Sequence, residues 1–237
     1  MPLIAALGNP GKEYENTRHN VGWLVLDAFA QTLEGSWKTD KKLQASIFSD
    51  QGPIAIGPRG GASLVLLKPL TFMNNSGLAV AAFLKQRKFS TRVEQYGLDP
   101  LRRSFSEASK LTTYSSSEVK RSREVPFLVL HDDIDLPLGT VRVSFGASAG
   151  GHNGVQSIID HIGTKEFWRI RIGVAPAQAR PNWKQKTDPK IFVLKKFSAA
   201  QKLVLEGVML DILELVKETI EGPRVHTIKA KPPSTEA

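Results

Sequence analysis

Cysteine does not occur among the 237 residues. That removes disulfides, thiolate metal sites and cysteine nucleophiles from consideration, and it suits a reducing compartment. Long apolar runs are missing as well. No stretch approaches the roughly 20 residues needed to cross a bilayer, so no membrane role is expected. The first strand-like segment begins at Leu3, and no cleavable leader is expected ahead of it. No serine sits in a G-x-S-x-G elbow, so a hydrolase written in this sequence would activate water rather than a side chain. The glycine-rich run "GASAGGHNG" (146–154) has neither Walker nor dinucleotide spacing. There is no internal repeat.

What is present is an ordinary globular balance, 41% hydrophobic and 23% charged, in a chain long enough for one domain with a sizeable core. The net charge of +9 is unevenly placed. Residues 85–125 hold ten Lys/Arg against five Asp/Glu, 180–196 hold six against one, and 223–237 hold three against one. Those three segments carry +12, which leaves about −3 for the rest. Positive charge gathered at the periphery suits a protein that meets a polyanion. A soluble protein with basic loops would also produce it.

Apolar periodicity predicts an alternation of strands and helices. "LIAAL" (3–7) reads as a buried strand and "GNPG" (8–11) as a turn. A helix follows from about Val21, with Val21, Leu24, Val25, Ala28, Phe29 and Leu33 on one stripe and Gly35 as its stop. "ASIFS", "SLVLLKP", "PFLVLHD", "GTVRVSF" and "WRIRIGVA" read as strands. "SGLAVAAFLKQ", "VQSIIDHI" and residues 200–221 read as helices, the first with Asn75 or Ser76 at its cap. The expected fold is therefore α/β, a single domain over 1–222 with a twisted, mixed, mostly parallel sheet covered by helices on both faces. Residues 86–125, rich in Ser, Arg and Lys without periodicity, read as a flexible basic insertion, and 223–237 as a flexible basic tail.

Four polar clusters fall at predicted strand ends and loops: Asn9 with His19 and Asn20; Asn74 and Asn75 after Met73; His131, Asp132, Asp133 and Asp135; and His152 with Asn153. In an open α/β sheet such loops converge at the carboxyl ends of the strands. A histidine held by a carboxylate can serve as general base, and asparagine amides can grip peptide groups or an oxyanion. Each residue has a plainer competitor. His19 could cap a helix locally, His131 could be a packed core histidine, and Asp135 could be a turn residue. "HDDID" could join a metal cluster with His19 or His152, although its spacing matches no compact ligand motif.

At these same positions the sequence strongly resembles the bacterial-type peptidyl-tRNA hydrolase family. The matching stretches are "GNPGKEYENTRHNVGW", "KPLTFMNNSG", "HDDIDLPLG", "GGHNGVQSIIDHIGTKEFWRIRIGV" and, more loosely, "FVLKKFS". They occur in the family's order and cover most of the chain outside 86–125 and the tail. The resemblance implies hydrolysis of the ester joining a peptide to the 3′ ribose of tRNA, by a monomer that needs no metal or other cofactor. His19 matches the catalytic base, Asp132 its acidic partner, and Asn9 the asparagine that places the water or the tetrahedral oxygen. Asn74 and Asn153 match residues that hold the peptide backbone. Tyr14 and Met73 match residues lining the cleft, and His152 is counted with the substrate contacts through its place in "GGHNG". Arg171 matches a basic residue that contacts tRNA phosphates.

The chain departs from that pattern in three places. A lysine expected two residues after Arg142, pairing with the arginine to clamp the tRNA 5′ phosphate, is replaced by Ser144; Arg142 or the basic segments would then take over part of its role. The run after "RIRIG" is longer and more basic than usual, and the stretch between "MN" and "HD" is much longer. Such elaboration looks like a eukaryotic member, in the cytosol or a mitochondrion. A catalytically inactive RNA-binding or RNA-splicing factor on the same scaffold is the alternative.

Overall fold

A computed structural model of the chain describes residues 2–50, 64–87, 127–176, 187–222, 224–225 and 227–229. The reading of 86–125 as an insertion falls almost wholly outside them. Among the described residues eight strands form one sheet: β1 Leu3–Ala6, β2 Gly35–Asp40, β3 Ala45–Asp50, β4 Val65–Pro69, β5 Phe127–Pro137, β6 Thr140–Phe145, β7 Trp168–Ala175 and β8 Thr227–Lys229. Their order is β2-β3-β4-β1-β5-β7-β6-β8. The sheet is mixed, as expected, though its pairings are three parallel against four antiparallel where a mostly parallel sheet was expected. Its four central strands, β4-β1-β5-β7, are parallel, and the pairings on both flanks are antiparallel.

The central strands are continuous apolar runs because both of their faces are covered. Ile4, Ala6, Leu128, Leu130, Ile170 and Ile172 turn to one face, where they meet α1 (Val21–Ala30) and later α5 (Ala199–Glu221). Leu3, Ala5, Leu7, Phe127 and Val129 turn to the other and meet α2 (Ser76–Gln86) and α3 (Asn153–Ile162). A short helix, α4 (Pro189–Val193), sits ahead of α5. Among the described residues no helix is long and apolar enough to cross a membrane.

Most predicted elements are present within a residue or two, and the differences have local causes. The helix after His19 stops at Ala30, and Gly35 opens β2 instead of ending that helix. There a side chain would strike the Phe48 ring, 2.6 Å from an added Cβ. β5 runs on past Asp132 to Pro137 through an irregular register, so Asp135 lies on a strand. α3 starts two residues earlier than its apolar stripe because the His152 side chain caps it. Residues 227–229 of the expected flexible tail form β8, which pairs with β6.

β1 lies between β4 and β5, with chain crossing to either side of it. That is the switch point where loops diverge and leave a crevice. The segments leaving β1 and β4 carry Asn9 and His19, and Met73 and Asn74, while Asp132 lies on β5 itself. Gly22 brings α1 down onto this edge. A Cβ there would lie 2.7 Å from the Leu130 carbonyl oxygen and 2.9 Å from that of Leu7.

Candidate active site

The turn after β1 is locked to the short 3-10 segment Arg18–Asn20 by a reciprocal pair of bonds. The Asn9 amide N–H donates to Asn20 Oδ1 (2.8 Å), and Asn20 Nδ2 donates back to the Asn9 carbonyl (2.9 Å). Asn9 Oδ1 in turn accepts the Met73 N–H at 2.8 Å. With its oxygen so engaged, the Asn9 side chain offers the cavity its NH2 donors. Asn20, grouped with this cluster on sequence, emerges as the brace that aligns the neighbouring histidine.

His19 Nδ1 lies 2.8 Å from Asp132 Oδ1, and His152 Nε2 lies 2.9 Å from the same oxygen. The tautomers follow from the surroundings. His152 Nδ1 accepts the N–H groups of Gly154 and Val155 at the start of α3, so its proton sits on Nε2 and is donated to Asp132. His19 donates from Nδ1, which leaves its Nε2 lone pair for chemistry. His131 donates Nδ1–H to the Asp132 carbonyl at 2.7 Å, and its ring packs edge-on against His152.

The electrostatics follow the same geometry. Burial works to lower the His19 pKa, but the Asp132 charge and hydrogen bond outweigh it, and the net shift is upward. Desolvation pushes the Asp132 pKa up; the charges of His19 and His152 and their hydrogen bonds more than offset that and hold it well below the usual carboxylate range. His131 is shifted well down, chiefly by complete burial and then by His152, so it stays neutral. The donor atoms of His19, Asp132 and His152 lie within 4.8 Å of one another and could hold a metal ion. An ion there would have to displace both ring protons from Asp132.

These groups open on a cavity of about 900 Å³. Of the residues singled out from sequence, Asn9, Tyr14, His19, Met73, Asn74, Asp132, His152, Asn153 and Arg171 all line it. Tyr14 meets Phe72 edge-on at 6.2 Å. His152 presents its ring to the cavity, yet both ring nitrogens are engaged within the protein. Arg142 does not line the cavity. It is exposed on β6 directly opposite Arg171 of β7, and its Nε donates to Thr227 Oγ1. Ser144 is buried opposite Arg169 and points no polar group at solvent.

Two contributors escaped the sequence reading, and a third, Asp133, was named there only as a member of the "HDDID" cluster. Arg169 is 1% exposed and donates to the carbonyls of Ala147 and Ser148, which fixes the glycine-rich loop; burial, and then Arg171, push its pKa down to about 10. Asp133 accepts Arg171 Nε at 2.5 Å and holds that arginine at the cavity edge. The wall formed by Asp188, Lys190, Val193 and Leu194 comes from α4 and its flanks. The alternation in "WRIRIGV" was the available signal for Arg169, since it places both arginines on one face of β7.

Comparison with known proteins points to one family. A family model described as peptidyl-tRNA hydrolase matches residues 3–95 and 108–234, so the internal stretch it leaves unmatched is 96–107. Curated proteins named peptidyl-tRNA hydrolase resemble the chain throughout. That of Aquifex aeolicus is 34% identical over 96% of this chain and 94% of its own length, and that of Synechocystis is 35% identical over 95% and 91%. The crystal structure of peptidyl-tRNA hydrolase from Acinetobacter baumannii superposes with a TM-score of 0.64 at 28% identity, covering 93% of this chain and 88% of that one.

Proposed function

The chain belongs to the peptidyl-tRNA hydrolase family and hydrolyses peptidyl-tRNA, and from that premise we propose that His19 is the base that takes a proton from the attacking water. The observation that carries the assignment is the hydrogen bond from His19 Nδ1 to Asp132, which leaves Nε2 unprotonated in a ring that lines the cavity. Water deprotonated by Nε2 attacks the ester carbonyl, and Asp132 stabilises the imidazolium that results. The Asn9 amide donors face the oxygen on which charge develops. The imidazolium then returns the proton to the departing ribose oxygen. Asn74 and Asn153, both exposed on the cavity wall, hold main-chain amides of the peptide, with Tyr14 and Met73 beside them. Gripping only main-chain groups suits an enzyme that must accept any peptide.

In this reading Arg171 and Arg142, cross-strand neighbours on one face of the sheet, take the tRNA phosphate in place of the lysine that Ser144 replaces. In sequence, the basic charge over 180–196 follows closely on Arg171 and is the further charge offered to tRNA in this reading. The protein works as a monomeric single domain over 1–222, with 86–125 inserted and 223–237 appended, in the cytosol or a mitochondrion. No metal takes part. A splicing factor without turnover is not favoured, because Asn9, His19, Asp132 and Asn153 all line one cavity.

The test is cleavage of an N-blocked aminoacyl-tRNA by wild type and His19→Ala, each before and after stripping the protein with chelator. Turnover that survives stripping and disappears with the histidine is expected. Turnover by His19→Ala refutes the base assignment, and loss on stripping refutes the metal-free mechanism. Tight RNA binding by an inactive wild type would favour the splicing factor.

A further inference from the structure

Arg18 is a basic residue that the phosphate reading does not use. It directly precedes His19, yet it is buried and does not line the cavity. Its side chain crosses to the segment that supplies the cavity's far wall. Nη1 donates to the carbonyls of Phe192 (3.3 Å) and Lys195 (3.0 Å), and Nη2 donates to Gln201 Oε1 (2.9 Å). The guanidinium carbon lies 4.4 Å from the centroid of the Phe192 ring and 5.7 Å from that of Phe197. Backbone bonds run alongside, from Arg18 N to the Lys195 carbonyl (3.1 Å) and from Phe197 N to the Asn16 carbonyl (3.0 Å).

No ion pair among the described residues includes Arg18, and burial pushes its pKa down. A buried cation without a carboxylate is a costly arrangement, offset here by carbonyls and aromatic faces. It connects two parts of one site. At one end is His19; at the other, Asp188, Lys190, Val193 and Leu194 line the cavity. α4, at five residues, is too short to hold its own position. Gln201 ties the contact further into α5, because its Oε1 also accepts the Ser198 N–H in that helix's capping box.

We propose that Arg18 is a positioning residue for hydrolysis: its guanidinium sets the 188–197 wall of the cleft at a fixed separation from His19, so that an ester held against that wall meets the base. The inference rests on the cavity being the hydrolytic site. A lysine at 18 keeps the charge, but its single ammonium cannot replace a planar fork bonding three acceptors. Misplacement of reacting groups by about 1 Å can cost on the order of a hundredfold in rate.

The experiment compares R18K with wild type at a temperature where both are folded by circular dichroism, reading kcat on an N-blocked aminoacyl-tRNA and Kd for deacylated tRNA. We expect kcat to fall roughly ten- to a hundredfold with Kd unchanged, and V216A, a core change in α5 remote from this contact, to lose stability while keeping kcat. Wild-type kcat in folded R18K overturns the proposal, as does an equal loss of kcat in V216A. Should R18K not fold, Q201A removes one arm only; a several-fold fall in kcat is then expected, and an undiminished kcat overturns it. An inactive wild type or an active His19→Ala would remove the premise instead, which keeps the two failures distinct.

Discussion

Replacing Asp132 with asparagine isolates the charge on which the proposed base depends. The amide keeps an oxygen for the two ring N–H groups that now reach Oδ1, at 2.8 Å from His19 and 2.9 Å from His152. It has nearly the same size, so the arrangement is retained while the negative charge is lost. In the wild type, burial works to lower the His19 pKa and Asp132 overrides it, for a net shift upward from 6.5. A raised pKa keeps His19 protonated, and unable to accept a proton, until the pH passes that value. The acid limb of kcat/KM therefore lies above 6.5 in the wild type. In D132N only burial acts, and the limb moves below 6.5. An opposite charge at this range contributes about one to three pH units, each equivalent to about 1.4 kcal/mol. The same stabilisation is lost from the imidazolium that forms as water attacks. At alkaline pH, where His19 is deprotonated in both proteins, kcat/KM should fall roughly ten- to a thousandfold. Initial rates of N-blocked aminoacyl-tRNA cleavage across the pH range read both effects. An acid limb that stays in place in D132N would refute the reasoning, however large the drop in rate.

Arg171→Gln should weaken binding of deacylated tRNA and make its salt dependence shallower by about one phosphate contact's worth, a slope change of roughly 0.9; an unchanged slope in filter binding would remove Arg171 from the phosphate site. Gly22→Ala places a methyl 2.7 Å from the Leu130 carbonyl oxygen, so α1 must lift from the sheet at a cost of about 1–3 kcal/mol. Because His19 and Asn20 lead into that helix, turnover should fall together with the urea midpoint, and a stable, fully active variant would contradict the packing described here.

The parts of this fold that were legible in the sequence are those whose neighbours are apolar on every side. β1, β7 and α2 announce themselves through burial, as "LIAA", "WRIRIGVA" and "SGLAVAAFLKQ". β2 does not, because "GSWKTD" is mostly exposed and becomes a strand only through its ladder with β3. β8 is three residues pairing with β6, and α4 is five residues fastened by Arg18. In both cases the stabilising partner lies far away in sequence. The site divides the same way. The residues alone put His19, Asp132 and Asn9 into polar clusters and left their roles open; the resemblance to the family is what singled them out as base, carboxylate and amide donor. The inward turn of His152 could not be read, since a histidine before a helix can equally well cap it, bind substrate or face water. Here it caps α3 with one nitrogen and meets Asp132 with the other.

Arginine shows most clearly why charge read from sequence goes only part of the way. A net charge of +9 suggests a surface made for a polyanion, and Arg171 and Arg142 are the two arginines proposed for it. Arg18 and Arg169 do not fit that expectation, being 7% and 1% exposed. Both donate to backbone carbonyls, at Phe192 and Lys195 in one case and Ala147 and Ser148 in the other, and Arg18 donates to the Gln201 side chain as well. Both hold a segment against the cavity, the 188–197 wall or the loop leading to His152. Arg169 and Arg171 are two residues apart on the same strand face, and what separates their fates is the glycine-rich loop, whose carbonyls Arg169 binds while Arg171 pairs with Asp133. Arginine near this site therefore divides into charge left accessible, at Arg171 and Arg142, which is proposed to meet RNA, and charge buried on backbone carbonyls, which is proposed to keep the base and the substrate wall in register. Only the first kind should contribute to the salt dependence of tRNA binding.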